Sequence, residues 1–177
     1  MRSIFILFLA LTSLFASAQT SSNHLYSEGY KSNVQISAMF HDSQMISTLS
    51  TSHGYGFGNG LFVGGGTGII YNPTYGNGVK NRIQIPIFGE VKYSFLNKKV
   101  SPFVDLKAGG LFDYSAYGVG YVLKPSVGVD FWKLSLCAGI ERLSETYATQ
   151  GLKEGQPAMI GSRGENTGFF VGLSFNF

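Results

Sequence analysis

The amino-acid sequence predicts an all-β protein: an antiparallel, up-and-down transmembrane β-barrel of about eight strands that follows an N-terminal signal peptide. Apolar and polar residues alternate along eight segments, as they do in strands whose two faces meet different surroundings. Charged residues make up 13% of the chain, against about 25% in soluble domains. Every second segment ends in aromatic residues, which collect where hydrocarbon meets lipid headgroups.

The first 18 residues are typical of a secretory signal peptide. Arg2 precedes an apolar run that begins at Ile4, and Ala16 and Ala18 supply small residues at cleavage-site spacing. This run is shorter than the roughly 20 apolar residues that a spanning helix needs, so we expect cleavage after residue 18. Residues 19–29 then form a short periplasmic N-terminal segment, and residues 30–177 form the barrel.

The first four strands are predicted from their alternating faces. The first predicted strand, 30–40, alternates Asn, Gln and Ser with Val, Ile and Ala, and the second, 46–55, is blurred by Ser and Thr. The third, 61–71, sets apolar residues on one face against a row of glycines on the other. The fourth, 82–95, is the clearest, and Pro86 within it removes a ladder donor, which predicts a bulge or local bend.

The last four predicted strands follow the same alternation and cover residues 100–111, 120–131, 134–143 and 167–177. The connections between strands alternate in length. Short ones are predicted at 56–60, 97–99 and 132–133, and mostly longer ones at 41–45, 72–80, 112–119 and 144–166. Outer-membrane barrels pair short periplasmic turns with longer outer loops, so the short connections are expected to face the periplasm.

Two aromatic girdles are expected from this orientation. The inner girdle, at the membrane interface on the periplasmic side, comprises Tyr55, Phe57, Tyr93, Phe95, Phe131, Trp132, Phe175 and Phe177. Part of the outer girdle comprises Phe112, Tyr114, Tyr117 and Tyr121.

The inward faces of the predicted strands carry balanced charges. We expect an interior ion-pair network rather than an open channel, because an unpaired buried charge is costly, with the members Arg82, Glu90, Lys92, Asp105, Lys107, Lys124, Asp130 and Glu141. Opposite charges are favoured directly across strands. This predicts Lys92 opposite Asp105, Glu90 opposite Lys107, and Lys124 opposite Glu141.

The sequence contains no strong motif for catalysis, phosphate binding or metal binding. Residues 64–68 are glycine-rich but lack the Gly-Lys-Ser/Thr ending and following helix of a phosphate loop. The three histidines show no metal-ligand spacing, and we expect no metal, cofactor or catalytic residue. The small net charge of +3, with no basic aromatic stripe, disfavours nucleic acid as a partner. His41, Asp42 and Ser43 leave open a lipid-modifying enzyme at the outer rim.

Four segments resemble a family of small Gram-negative outer-membrane β-barrel proteins of the OmpA/OmpX type, namely residues 50–55, 85–88, 98–107 and 125–129. The resemblance covers nearly all of the chain after the signal peptide and implies an eight-stranded barrel in the outer membrane. It also implies that the final aromatic residue, Phe177, is part of the signal read by the barrel-assembly machinery. The family carries no general catalytic residue set.

The leading functional hypothesis is a plugged, monomeric scaffold that sits in outer-membrane lipid and presents its outer loops to an unknown ligand. One alternative is a narrow transporter for small or apolar solutes, which needs a continuous gap along Gly64, Gly66, Gly68, Gly109, Gly128 and Gly139. A lipid-modifying enzyme is a second alternative. A soluble lipocalin-like barrel would require apolar residues inside and polar residues outside, the reverse of this pattern.

Overall fold

The chain forms a closed barrel of eight antiparallel strands joined in sequence order, with β1 paired to β8. The computed structural model describes residues 26–42, 44–74, 80–114, 118–153 and 156–177. Its strands are β1 Glu28–His41, β2 Gln44–Phe57, β3 Leu61–Thr74, β4 Lys80–Ser94, β5 Val100–Asp113, β6 Gly118–Phe131, β7 Leu134–Lys153 and β8 Gln156–Asn176. The predicted fold class is confirmed. The predicted signal peptide, 1–18, lies outside the described residues.

The two ends of the barrel are named here by their connections. The inner end carries the connections 58–60, 95–99 and 132–133, and the outer end carries 42–43, 75–79, 114–117 and 154–155. β1 begins at Glu28, two residues before the expected start of the barrel. Just before it, Tyr26 lies across the inner rim, where its hydroxyl donates to the Ser94 carbonyl at 2.6 Å.

The predicted alternation of short and long connections is wrong. The connection expected at 144–166 is a hairpin, in which β7 and β8 pair from Leu134 opposite Phe175 to Lys153 opposite Gln156. The connection expected at 41–45 is a two-residue turn, because β1 and β2 pair as far as His41 and Gln44. Cross-strand backbone pairing does not depend on alternating apolar and polar side chains, so the sequence pattern carries no strand signal there.

The expected bulge at Pro86 is also wrong. Thr67 pairs with Ile87 and Ile70 pairs with Gln84, so the register of β3 on β4 is the same on both sides of the proline. The ladder is interrupted between those two pairs without an inserted residue. The Pro86 carbonyl instead accepts a hydrogen bond from the Thr67 hydroxyl at 2.8 Å.

The barrel is apolar outside and polar inside. Along β4, the outward residues Ile83, Ile85, Ile87 and Val91 are exposed, whereas Arg82, Gln84 and Glu90 are buried. From Ile83 to Phe95 this outward row rises about 30 Å at usual strand tilt, which matches the hydrocarbon thickness of a bilayer. This polarity is typical of transmembrane β-barrels and is opposite to that of a lipocalin. In the described part of the chain, no helix is long and apolar enough to cross a membrane.

Candidate functional site: the barrel interior and its two ends

The inner third of the barrel interior is organised around Asp130 on β6. Its carboxylate accepts hydrogen bonds from Lys92 Nζ at 2.6 Å, Ser94 Oγ at 2.9 Å and Ser135 Oγ at 2.5 Å. Lys92 belongs to β4, so its side chain reaches past β5 to make this ion pair. Charge-assisted bonds of this kind hold a buried carboxylate at low cost, and they join three strands at the inner end.

The middle of the interior is crossed by Lys107 on β5. Lys107 Nζ lies 3.8 Å from Glu90 Oε1 on the neighbouring strand β4. The same ammonium group donates to the Gln35 side-chain carbonyl on β1, on the opposite wall of the barrel. Asn33 Nδ2 contacts Glu90 Oε1 at 3.5 Å. A side-chain bridge therefore spans the lumen at mid-depth.

A second ion pair lies beside this bridge. Lys124 Nζ on β6 is 3.0 Å from Glu141 Oε2 on β7 and 2.8 Å from Ser37 Oγ on β1. Lys124 also lies 4.1 Å from the centroid of the Phe170 ring. Lys92 contacts Phe103 and Lys107 contacts Phe88 in the same way, at 4.0 and 5.5 Å. Sequence reasoning missed these three cation–aromatic contacts. Lys124 and Phe170 lie two strands apart, and the other two pairs are diagonal neighbours across the β4–β5 ladder.

An apolar belt lies between these ion pairs and the outer end. We define the belt by one buried residue from each of seven strands: Met39, Ile46, Ile70, Leu111, Val122, Leu143 and Phe170. Along β5, Leu111 separates Lys107 from Asp113, and along β7, Leu143 separates Glu141 from Glu145. The belt therefore divides the charged interior into an inner and an outer part.

The outer part is a buried cluster centred on Arg82. Its guanidinium donates to Asp113 on β5 and, at 2.5 Å, to Glu145 on β7. The Gln84 amide nitrogen also donates to Glu145. All four side chains are at most 4% exposed. Asp113 and Glu145 were assigned by sequence to connections, so their place in the interior was missed.

The structure places all eight sequence-predicted ionic residues inside the barrel. Glu90 is opposite Lys107 and Lys92 is opposite Asp105, which is the register expected from their charges. The register of β6 on β7 likewise brings Lys124 to Glu141. However, the ion partner of Lys92 is Asp130 rather than Asp105. The long lysine side chain reaches across the narrow lumen, where two serine hydroxyls also converge on Asp130.

The interior glycines are covered by neighbouring groups. A Cβ added at Gly66 would lie 2.8 Å from the Phe88 ring, and one added at Gly128 would lie 2.5 Å from the Phe103 ring. A Cβ added at Gly64 would lie 2.7 Å from the Phe62 ring. Gly68 lies against Ser50, and Gly139 lies against Ser126. A small cavity of about 20 Å³ is lined by Thr48, Ser50, Lys107, Lys124, Glu141 and apolar residues. Gly64, Gly66 and Gly128 therefore leave room for the neighbouring rings of Phe62, Phe88 and Phe103.

The inner end opens into a shallow cavity of about 80 Å³. Lys31, Lys92 and Asp130 supply its charged lining, and Trp132 and Phe177 form part of its rim. Trp132 occupies the left-handed backbone region, with φ of 57°, in the two-residue turn before β7.

The aromatic girdle expected at this end is present on the outer wall. Tyr55 packs against Phe57, Tyr93 against Phe95, and Phe175 against Phe177, with ring centroids 5.3, 5.3 and 4.8 Å apart. Phe131 and Trp132 are exposed on the same end. Phe177 exchanges two backbone hydrogen bonds with Ser32, which closes the barrel at its last residue. At the outer end, Phe112, Tyr114 and Tyr121 are exposed, and Tyr117 lies outside the described residues.

The residues considered for catalysis are only partly described. His41 Nδ1 lies 2.8 Å from the Thr167 carbonyl, and His41 Nε2 lies 3.3 Å from Asp42 Oδ2. Ser43 lies outside the described residues. A hydrolase requires a nucleophile and a base that converge on one point, and the described atoms supply only the histidine and the carboxylate.

Comparison with known proteins identifies the fold. The barrel is similar to the crystal structure of the outer membrane enzyme PagL, with a TM-score of 0.57 and 12% sequence identity over 81% of this chain and 98% of that chain. It is also matched to the N-terminal β-barrel domain of Pseudomonas aeruginosa OprF, with a TM-score of 0.46 and 12% identity over 85% of this chain and 100% of that chain. No protein-family model and no curated protein sequence matches the chain. At this identity the likeness shows the fold alone, and it confirms the eight-stranded architecture of the small outer-membrane barrels.

Proposed function

We propose that the protein is a monomeric outer-membrane barrel, exported with a cleaved signal peptide, that acts as a closed structural and surface-interaction scaffold. The observation that carries this proposal is the apolar belt, whose seven buried residues lie between the two charged parts of the interior. An eight-stranded barrel is just wide enough for side chains to fill it. The ion pairs that cross the lumen on either side of the belt support the same conclusion.

Planar-bilayer recording tests whether the scaffold is closed. The purified barrel is expected to show no unitary conductance, whereas a porin reconstituted in the same lipid provides the positive control. Reproducible single-channel steps from the wild-type barrel would contradict the proposal and favour the narrow transporter. The covered glycines support the closed barrel, because the transporter requires an open path along them.

The surface of the scaffold that is best placed for a partner is the outer part of the β7–β8 hairpin. β6 pairs with β7 as far as Val119 and Thr146. Beyond this pair, β7 pairs only with β8 in the described part of the chain. Surface segments on a rigid barrel frequently carry binding function. Replacing residues 147–163 with a two-residue turn should leave the barrel folded and abolish binding of the purified barrel to whole cells. Unchanged binding by this variant would exclude the hairpin as the interaction surface.

We also propose that the barrel carries out no lipid chemistry, although the fold likeness includes an outer-membrane enzyme. The described residues around His41 support this view, since the histidine ring contacts a backbone carbonyl and an exposed carboxylate. Mass spectrometry of lipid A from a deletion strain, and from the same strain complemented with wild type or His41→Ala, should give identical profiles. A profile that changes on deletion and is restored only by wild type would establish the enzymatic alternative.

A further inference from the structure

The outer wall carries a polar patch within the inner aromatic girdle. We call it the β1–β2 patch and define it by Glu28, Tyr30, Thr51, His53 and Tyr55. Tyr30 and Tyr55 lie directly opposite each other across the two strands. Tyr30 is 71% exposed and Tyr55 is 44% exposed, so both rings face the surroundings of the barrel.

Hydrogen bonds fix the geometry of the patch. The Tyr30 hydroxyl lies 2.6 Å from His53 Nδ1, and the two rings are stacked with centroids 6.1 Å apart. The Thr51 hydroxyl donates to the Asn33 carbonyl at 3.0 Å, so its oxygen accepts from His53 Nε2 at 3.2 Å. These hydrogen bonds, one at each ring nitrogen, hold the His53 imidazole in one orientation.

Glu28 gives the patch its negative charge. The Tyr55 hydroxyl donates to Glu28 Oε1 at 3.0 Å, and the carboxylate is exposed at the inner end of β1. His53 pairs with Ser32, four residues farther along β1, and so lies about 10 Å closer to the membrane centre. The patch thus presents a carboxylate at the depth of lipid headgroups. Two tyrosine rings lie next to this carboxylate, on the side toward the membrane centre.

We propose that the β1–β2 patch binds the headgroup of an inner-leaflet phospholipid that carries a primary ammonium group. The ammonium group would pair with Glu28 and lie against the faces of Tyr30 and Tyr55, which attract cations through their ring quadrupoles. The patch holds no cationic side chain, so a headgroup with only negative charge has no partner in it. Lys98, Lys99 and Lys133, which suit anionic headgroups, lie on other inner connections.

This inference rests on the proposed membrane location, and native mass spectrometry tests both. Protein extracted from membranes would be equilibrated with equal amounts of phosphatidylethanolamine and phosphatidylglycerol, and the retained lipids counted. The wild type should retain phosphatidylethanolamine preferentially. Glu28→Gln should reduce the preference about three- to tenfold, as expected for loss of a partly exposed ionic and cation–aromatic contact. Tyr30→Leu should reduce it as well while leaving Glu28 in place.

Tyr93→Phe is the matched control, because Tyr93 packs against Phe95 as Tyr55 packs against Phe57, at the same centroid separation of 5.3 Å. It should leave the lipid preference unchanged. Equal retention of both lipids by the wild type, or an unchanged preference in Glu28→Gln, overturns the proposed headgroup site while leaving the membrane location intact. A barrel that stays soluble without detergent and retains no lipid would overturn both.

Discussion

Lys107 on β5 donates a hydrogen bond to Gln35 on β1, and this contact joins opposite walls of the barrel. The same ammonium group faces Glu90 across the β4–β5 ladder. Strand pairing links only neighbouring strands. Contacts of this type connect strands that are not neighbours and occupy the lumen with side chains. The predictions below test how much stability depends on them.

Replacing Arg82 should be among the most destabilising substitutions in the barrel. Arg82→Leu leaves Asp113 and Glu145 buried without their cation, and breaking a buried ion pair costs about 3–5 kcal/mol. Urea unfolding in lipid vesicles measures the loss. Arg142→Leu is the matched control, because the Arg142–Glu165 pair is exposed and should cost about 1 kcal/mol or less. Equal losses in the two variants would contradict the buried role of Arg82.

The Lys124–Glu141 pair should show strong coupling in a double-mutant cycle. Each of Lys124→Met and Glu141→Met leaves one buried charge without its partner 3.0 Å away and should cost about 3–5 kcal/mol in the free energy of unfolding. The double variant removes both charges and should recover most of that loss. Additive losses would show that the two side chains do not interact.

Two adjacent glycines on β3 should respond differently to the same substitution. At Gly66, an added Cβ would lie 2.3 Å from the Thr51 carbonyl oxygen and 2.8 Å from the Phe88 ring; at outward-facing Gly65, the nearest atom is 3.4 Å away. Gly66→Ala should therefore lower the free energy of unfolding by about 1–3 kcal/mol. Gly65→Ala should have little effect in the same urea titration. The reverse order would mean that Gly66 is not a packing site.

The last residue should be required for assembly. Phe177→Asp places a charge at the membrane interface and removes the contact with the Phe175 ring, so the amount of folded, heat-modifiable barrel in outer membranes should fall severalfold. Phe177→Tyr keeps the ring and should assemble normally. Phe131→Asp alters the same girdle within the chain and should assemble better than Phe177→Asp. If the two Asp variants behave alike, the defect reflects the girdle and not a terminal signal.

The sequence predicts which residues face outward and how neighbouring strands pair better than it predicts the side-chain contacts inside the barrel. Alternation fixes which side of each strand faces out, and opposite charges select the register of Glu90 with Lys107, because both are local properties of a hairpin. The partner of Lys92 depends instead on how far a side chain reaches across the lumen, and Asp130 lies two strands away. The contact of Lys124 with the Phe170 ring was missed for the same reason, because β8 lies two strands away from β6.

The outer end shows a second limit of sequence reasoning. Asp113 and Glu145 were assigned to connections because polar residues near a predicted strand end resemble a loop. In the structure, β5 ends at Asp113 and β7 continues to Lys153. Arg82 was expected inside, but the two carboxylates that neutralise it were not. The apolar belt was also not anticipated, since Met39, Ile46 and Val122 each stand among polar or glycine residues on the inward faces of their strands.

The apolar belt has a consequence for proton movement. A proton crosses a protein by transfer between hydroxyl, carboxylate, amine or water groups that form a hydrogen-bonded chain, and Met39, Ile46, Ile70, Leu111, Val122 and Leu143 contain none of these groups. If the barrel is closed as proposed, we therefore expect no hydrogen-bonded path for protons to run through the belt between the cluster around Arg82 and the groups near Asp130.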